Sequence, residues 1–308
     1  GVWGDRVPVE GTTLATLRAG LWIPQEDMRA VLDGIYRTSK SPLARDYAGT
    51  LKGLVDETFS GVYGHATDTT AWLGNPAFAK LVSGSDFKTA ELAAGKASVF
   101  VQLPLRALEN TPAIGRVIIG ALLNAAYEAD GNVNGRILYL LDEVARLGYM
   151  RIIETARDAG RKYGITLQLL YQSVGQLEDQ WGRTGQKKWY DGVSYRIYNG
   201  VTDLDTAKEL EETFGNYGVM ATSVGDNSGT SGKNFGEANR SKGQNTNYHE
   251  ISRPLLRREE IMQDCREDEQ FVVARNARPL RCGMAIYFRR ADMKAAVAAN
   301  RFSKAAQS

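Results

Sequence analysis

The sequence predicts an α/β domain behind a small all-helical module. Three observations predict it. Apolar residues recur at helical spacing through residues 1–90, with no β alternation there. From residue 97 onward, short apolar runs of five to seven residues alternate with amphipathic stretches. Residues 215–249 are rich in Gly, Ser, Asn and Thr and poor in apolar side chains. We therefore set 1–90 apart as the all-α region and 91–308 as the α/β domain.

In the first region, Pro24 opens a run over 24–37 in which Met28, Val31, Leu32 and Ile35 share one face, and proline suits a first helical turn. A second run, 42–59, lines up Leu43, Tyr47, Leu51, Leu54, Val55 and Phe59, and Gly61 and Gly64 punctuate it. Residues 72–82 make a third, short helix. In the second region the expected strands are 97–103, 137–141, 165–171 and 193–198. The helices between and after them are 114–127, 147–163, 173–181 and 203–214. Apolar strands separated by helices long enough for crossovers point to a parallel sheet covered on both faces. The stretch 215–249 holds too little apolar surface to offset its ordering entropy, so it is expected to be a mobile loop. Beyond it, 269–274 and 284–288 look like two edge strands bridged by 275–283.

Composition narrows the function. Of 308 residues, 43% are hydrophobic and 24% charged, which is ordinary for a globular protein. Two cysteines, Cys265 and Cys282, cannot form a disulfide framework and suit a reducing compartment. With two histidines, a His/Cys metal centre is not expected. No run approaches eighteen apolar residues, and Gly1 is no natural start, so the chain reads as a piece of a longer protein. The net charge of +2 hides a basic tail: residues 233–308 carry 15 basic and 9 acidic side chains, a surplus suited to phosphate backbones.

The sharpest chemical signal is Ile137-Leu138-Tyr139-Leu140-Leu141-Asp142-Glu143, an apolar strand ending in two carboxylates. A strand delivers such a pair to the carboxyl edge of a sheet, where ligands of open α/β folds bind. Asp142 would hold Mg²⁺ through its water shell, and Glu143 would orient or deprotonate an attacking water. The plainer alternative is a pair of solvated acids at a helix start. Gln172 ends the neighbouring apolar run, where it would either sense a γ-phosphate or cap the following helix. Arg157 and Arg161, one turn apart, would either reach a neighbouring subunit or pair with Asp158.

In their order along the chain, several strings resemble the coupling-protein ATPases of conjugation and type IV secretion (TraG/TraD-like), relatives of RecA-like DNA pumps. They are Trp72-Leu73-Gly74-Asn75-Pro76, Ser83-Gly84-Ser85-Asp86-Phe87, Leu140-Leu141-Asp142-Glu143 with Leu147-Gly148, and Gly160-Arg161-Lys162-Tyr163-Gly164-Ile165. Gln172-Ser173 with Gln176-Leu177, and Arg253-Pro254-Leu255-Leu256 with Glu259-Glu260-Ile261, complete the series. The resemblance implies a RecA-like parallel sheet, incomplete on its N-terminal side, and the cofactors ATP and Mg²⁺. It casts Asp142 and Glu143 as the Walker B pair, Gln172 as γ-phosphate sensor, and Arg161 as an arginine finger acting on ATP of the neighbouring protomer. It further implies a homo-hexamer at the cytoplasmic face of the bacterial inner membrane, anchored through an upstream segment. DNA, bound without regard to sequence, relaxosome or secreted protein substrates, and other secretion components would be its partners, with 1–90 recognising substrates. No G-x-x-x-x-G-K-[ST] string occurs; Gly95-Lys96-Ala97-Ser98 and Gly232-Lys233-Asn234 both fail it. This chain alone is therefore expected to bind ATP poorly and hydrolyse it hardly at all. Two other readings stand beside the motor: a non-catalytic substrate receptor of the same system, and a different RecA-like or AAA-type ATPase.

Overall fold

The computed structural model describes residues 13–84, 86–231, 239–293 and 296–297. Trp3, Ser85 and Gly232-Lys233-Asn234 lie outside these residues. The chain divides into two compact units, Gly1–Trp189 and Tyr190–Ser308.

The first unit begins with α1 (Leu14–Leu21), α2 (Gln25–Thr38), α3 (Pro42–Lys52), α4 (Asp56–Thr70) and α5 (Pro76–Leu81). Met28, Leu32, Ala48 and Phe59 form the core of α2–α4, flanked by Ile35, Leu51, Leu54 and Tyr63. Ser41 and Asn75 cap α3 and α5 with side-chain oxygens, each followed by proline, which lacks the N–H that a first turn leaves unpaired. The single run expected over 42–59 is two helices. The α3 C-cap is Gly53, and α4 starts afresh with Asp56 and Glu57 on its positive end. Gly61 and Gly64, expected to punctuate the run, lie inside α4 together with His65. A Cβ at either glycine would meet nothing, so the helix bears only their intrinsic cost of about 1 kcal/mol each.

There follow α6 (Thr89–Ala93), α7 (Leu105–Asn110), α8 (Pro112–Glu128), β1 (Ile137–Leu141), α9 (Arg151–Ala159), β2 (Ile165–Leu169) and α10 (Val174–Gly192), which is broken at Gly182 by a φ of 71°. The expected strand at 97–103 is absent. Its β-branched and aromatic side chains suit a strand, but no ladder among the described residues pairs its backbone, and Phe100 is 88% exposed. β1 and β2 are parallel and in register from Ile137↔Ile165 to Leu141↔Leu169. One face of β1 is packed, with Ile137 and Tyr139 at 8% and 6% exposure and the Tyr139 hydroxyl donating to the Leu122 carbonyl of α8 at 2.7 Å. The other face, expected to be covered, leaves Leu138 and Leu140 at 57% and 56%.

The second unit contains β3 (Tyr195–Asn199), α11 (Leu204–Phe214), β4 (Asn216–Ser231), β5 (Asn239–Pro254), α12 (Arg258–Gln263), β6 (Glu269–Ala274) and β7 (Leu280–Gly283). Ala207, Leu210, Ile261 and Phe271 form its core. β3 was expected to continue the parallel sheet, but it pairs antiparallel with β6, which pairs antiparallel with β7. Apolar content marks a strand without stating the direction of its neighbour. β7 begins earlier than the expected 284–288, because the chain reverses tightly around Asn276 at φ 59°. The described residues of the expected mobile loop instead form an antiparallel ribbon, β4 with β5, in register from Asn216↔Pro254 to Ser231↔Asn239. Cross-strand hydrogen bonds satisfy the backbone whatever the side chains, and Tyr217, Val219, Thr222, Val224, Thr246, Tyr248 and Ile251 all favour extended structure. Poverty in apolar residues reflects exposure of both faces, not want of structure.

Candidate active site

Because β1 and β2 are parallel and in register, both chains leave the pair at the same edge, and the Leu170 N–H donates to the Leu141 carbonyl at 3.0 Å just beyond it. After Leu141 the chain turns sharply. Asp142 is exposed, and its Oδ1 accepts the Glu143 N–H at 3.0 Å. Glu143 sits at φ 53°, ψ 32°, a left-handed conformation that costs an L-residue about 1 kcal/mol and that concentrates at functional positions. A 3₁₀ turn, Val144–Leu147, follows, with Val144 and Leu147 buried as its anchors.

Gln172 leaves β2 beside this turn. Its Nε2 donates to Glu143 Oε1 at 2.9 Å, and its N–H donates to Gln176 Oε1 at 3.0 Å. The second carboxylate oxygen, Glu143 Oε2, accepts from Arg146 Nε at 2.9 Å, and Arg146 Nη1 donates to Glu109 Oε1 on α7, also at 2.9 Å. Behind the turn, Gln180 Nε2 donates to the carbonyls of Gly148 at 2.6 Å and Val144 at 3.3 Å. The Tyr171 hydroxyl donates to Gln180 Oε1 and accepts from Trp181 Nε1, each at 2.8 Å. Burial pushes the Tyr171 phenol up to about 12, so it serves as a neutral donor.

Asp142, Glu143 and Gln172 are thus brought together, as the sequence led us to expect. Arg161 is not with them. It lies exposed in the turn 160–164 that leads into β2, at the opposite edge of the parallel pair, and the strand between spans roughly 13 Å at 3.3 Å per residue. Arg157 is a packing residue: its side chain is 5% exposed, bonded to Asp158 at 2.7 and 3.0 Å, with Cζ 4.8 Å from the Trp189 ring centroid. Sequence reading missed Arg146, Glu109 and Gln180. The three-residue spacing of Glu143 and Arg146 was a usable signal; Glu109 and Gln180 arrive from other elements and left none.

The donor set fits Mg²⁺ in one way. No cluster of three His, Cys, Asp or Glu among the described residues could cage an ion. An exposed carboxylate such as Asp142 suits this cation, which keeps several waters and takes one or two carboxylates plus phosphate oxygens.

The sequence matches the family described as type IV secretory system conjugative DNA transfer over residues 9–308. This chain belongs to that family. It is 44% identical over 294 residues to the conjugal transfer protein TraG of Rhizobium radiobacter, covering 95% of this chain and 44% of the relative. Identity is likewise 44%, over 306 residues, to the type IV secretion system-coupling protein VirD4 of Bartonella henselae, covering 99% of this chain and 46% of that protein. The chain thus spans less than half the length of these relatives. Its fold is shared with the bacterial conjugative coupling protein TrwBΔN70, at a TM-score of 0.60 and 14% identity, covering 88% of this chain and 57% of that solved chain. TrwB solved with ADP and Mg²⁺ superposes equally well, at a TM-score of 0.60 and 15% identity over 90% and 58% of the two chains. In this family member, no helix among the described residues is long and apolar enough to cross a membrane.

Proposed function

We propose that this chain is part of a coupling ATPase that drives DNA, with attached protein, toward a secretion channel. The observation that carries the proposal is the 2.9 Å hydrogen bond between Gln172 and Glu143 at the carboxyl edge of two parallel strands. Mg²⁺, when bound, would neutralise charge on the phosphates. Asp142 would hold that ion through water, and Glu143 would orient the attacking water and take its proton. Gln172, already beside Glu143, would exchange this bond for one to the γ-phosphate. Arg161, at the far edge of the sheet, would serve the site of a neighbouring protomer in a ring of six, where a finger can be worth about 10³–10⁵ in rate. Residues 1–90 would receive relaxosome or secreted substrates, and the assembly would work at the cytoplasmic face of the inner membrane with other secretion components. Contacts to DNA would be to phosphates and weaken with salt.

A second reading is a substrate receptor without catalysis, for which the all-helical region α1–α5 would be the binding part. Glu143→Gln separates the two in the protein extended to the length of its relatives. A motor loses ATP turnover and transfer while still recruiting substrate; a receptor is indifferent. Transfer at the wild-type rate with Gln at 143 overturns the motor.

A further inference from the structure

We infer that Arg146 is a positioning residue for Glu143 and that Glu109 holds Arg146 in place for that task. The inference rests on the ATPase reading above. A glutamate has three side-chain torsions, and a base that must meet one water needs them fixed. Two donors fix this carboxylate, Gln172 at Oε1 and Arg146 at Oε2. If Gln172 is drawn to a phosphate, Arg146 is the donor that remains.

Arg146 is built for the role. Its guanidinium meets two acids through two different nitrogens, Nε to Glu143 and Nη1 to Glu109, both at 2.9 Å, so two contacts set the plane of the group. Its backbone stands on a turn whose Val144 and Leu147 are buried and whose carbonyls at Val144 and Gly148 are held by Gln180. Glu109 reaches it from α7, 37 positions upstream. The side chains of Arg146, Glu143 and Glu109 are 31%, 37% and 50% exposed, and pairs so open to water add little to stability. The arrangement therefore fixes a direction rather than holding the fold together.

The test is steady-state Mg-ATP turnover by the protein extended to the length of its relatives. Arg146→Gln lowers kcat about tenfold while KM for ATP changes by less than about twofold, in the range typical of partners that orient a reacting group. Arg146→Lys falls between, because a single Nζ cannot hold two acids in one plane. Glu109→Gln costs less than Arg146→Gln, and its cost vanishes in the Arg146→Gln background, since it acts only through the arginine. A purely structural Glu109 would keep its cost there, and that result overturns its part in the relay. Wild-type kcat in Arg146→Gln, with Glu143→Gln inactive, overturns the inference and leaves the ATPase reading standing. Full turnover in Glu143→Gln overturns that reading, and this one with it. If Arg146→Gln fails to fold, Arg146→Lys decides: wild-type kcat with lysine refutes the two-point argument.

Discussion

Replacing Gly164 by alanine tests how β2 is held beside β1, and so how Gln172 comes to lie against Glu143. Gly164 has φ 68°, and its carbonyl accepts the Ile137 N–H at 2.9 Å, the bond that opens the parallel pair. A Cβ there would stand 2.3 Å from Val133 Cγ2, a short branched side chain that cannot swing aside. Gly135 provides the internal control. Its φ is 80°, yet a Cβ there would meet nothing within 4 Å. Both alanines bear the left-handed penalty of about 1 kcal/mol, and both lower the entropy of the unfolded chain alike. The difference between them is the clash alone, about 1–3 kcal/mol. Hydrogen exchange over peptides containing β1 and β2 reads it directly, as amides that exchange roughly 5- to 150-fold faster in Gly164→Ala than in Gly135→Ala. Equal exchange in the two variants would show that Val133 does not constrain the turn, and the account of how this edge is assembled would be wrong.

Other outcomes follow from the same structure. Gln180→Ala leaves the Val144 and Gly148 carbonyls and the Tyr171 hydroxyl without that partner, and should cost about 1–3 kcal/mol, seen as faster exchange in peptides covering 144–148. Phe271→Ala empties the centre of the second unit, where Phe271 packs 5.3 Å from Phe214, and should cost about 3–5 kcal/mol in urea unfolding. Asp203 caps α11 by accepting the Thr206 N–H at 2.8 Å, a bond that holds its carboxyl below the usual range; Asp203→Ala should cost about 1 kcal/mol. That contribution is present above the ordinary carboxylate pKa and is lost as pH falls through the lowered value. At the alkaline end, burial raises Tyr127, Tyr139 and Tyr171 to about 12 from 10. The folded state then keeps protons that the unfolded state releases, so stability falls as pH rises from 10 to 12, and tyrosinate absorbance from these groups should appear together with loss of helix.

The core of the candidate site was legible because its logic is local. An apolar run ending in Asp142-Glu143, followed by a second run ending in Gln172, needs only a parallel pair in register to bring three side chains to one edge, and β1 and β2 supply it. Helix starts were legible at Pro24 and Pro42, where proline suits a first turn, but the single helix expected over 72–82 is a 3₁₀ turn, 71–74, followed by α5 with its own cap at Asn75. The 97–103 run was misread because extended propensity says nothing about whether a neighbour offers a ladder. The described parts of the 215–249 stretch, 216–231 and 239–249, were misread because burial was taken as the sole source of order, when a ribbon needs only its own two backbones.

The sequence by itself determined the acids, the glutamine, and the alternation of apolar runs and helices, since each depends on residues a few positions apart. Only the tertiary structure decided which strands run parallel, that Arg161 lies at the far edge, and that Arg146 is shared between Glu143 and Glu109. The physical reason is range. Propensity and capping act over one or two turns of chain, whereas a hydrogen bond between residues 37 apart exists only after folding has brought two separate elements within 3 Å.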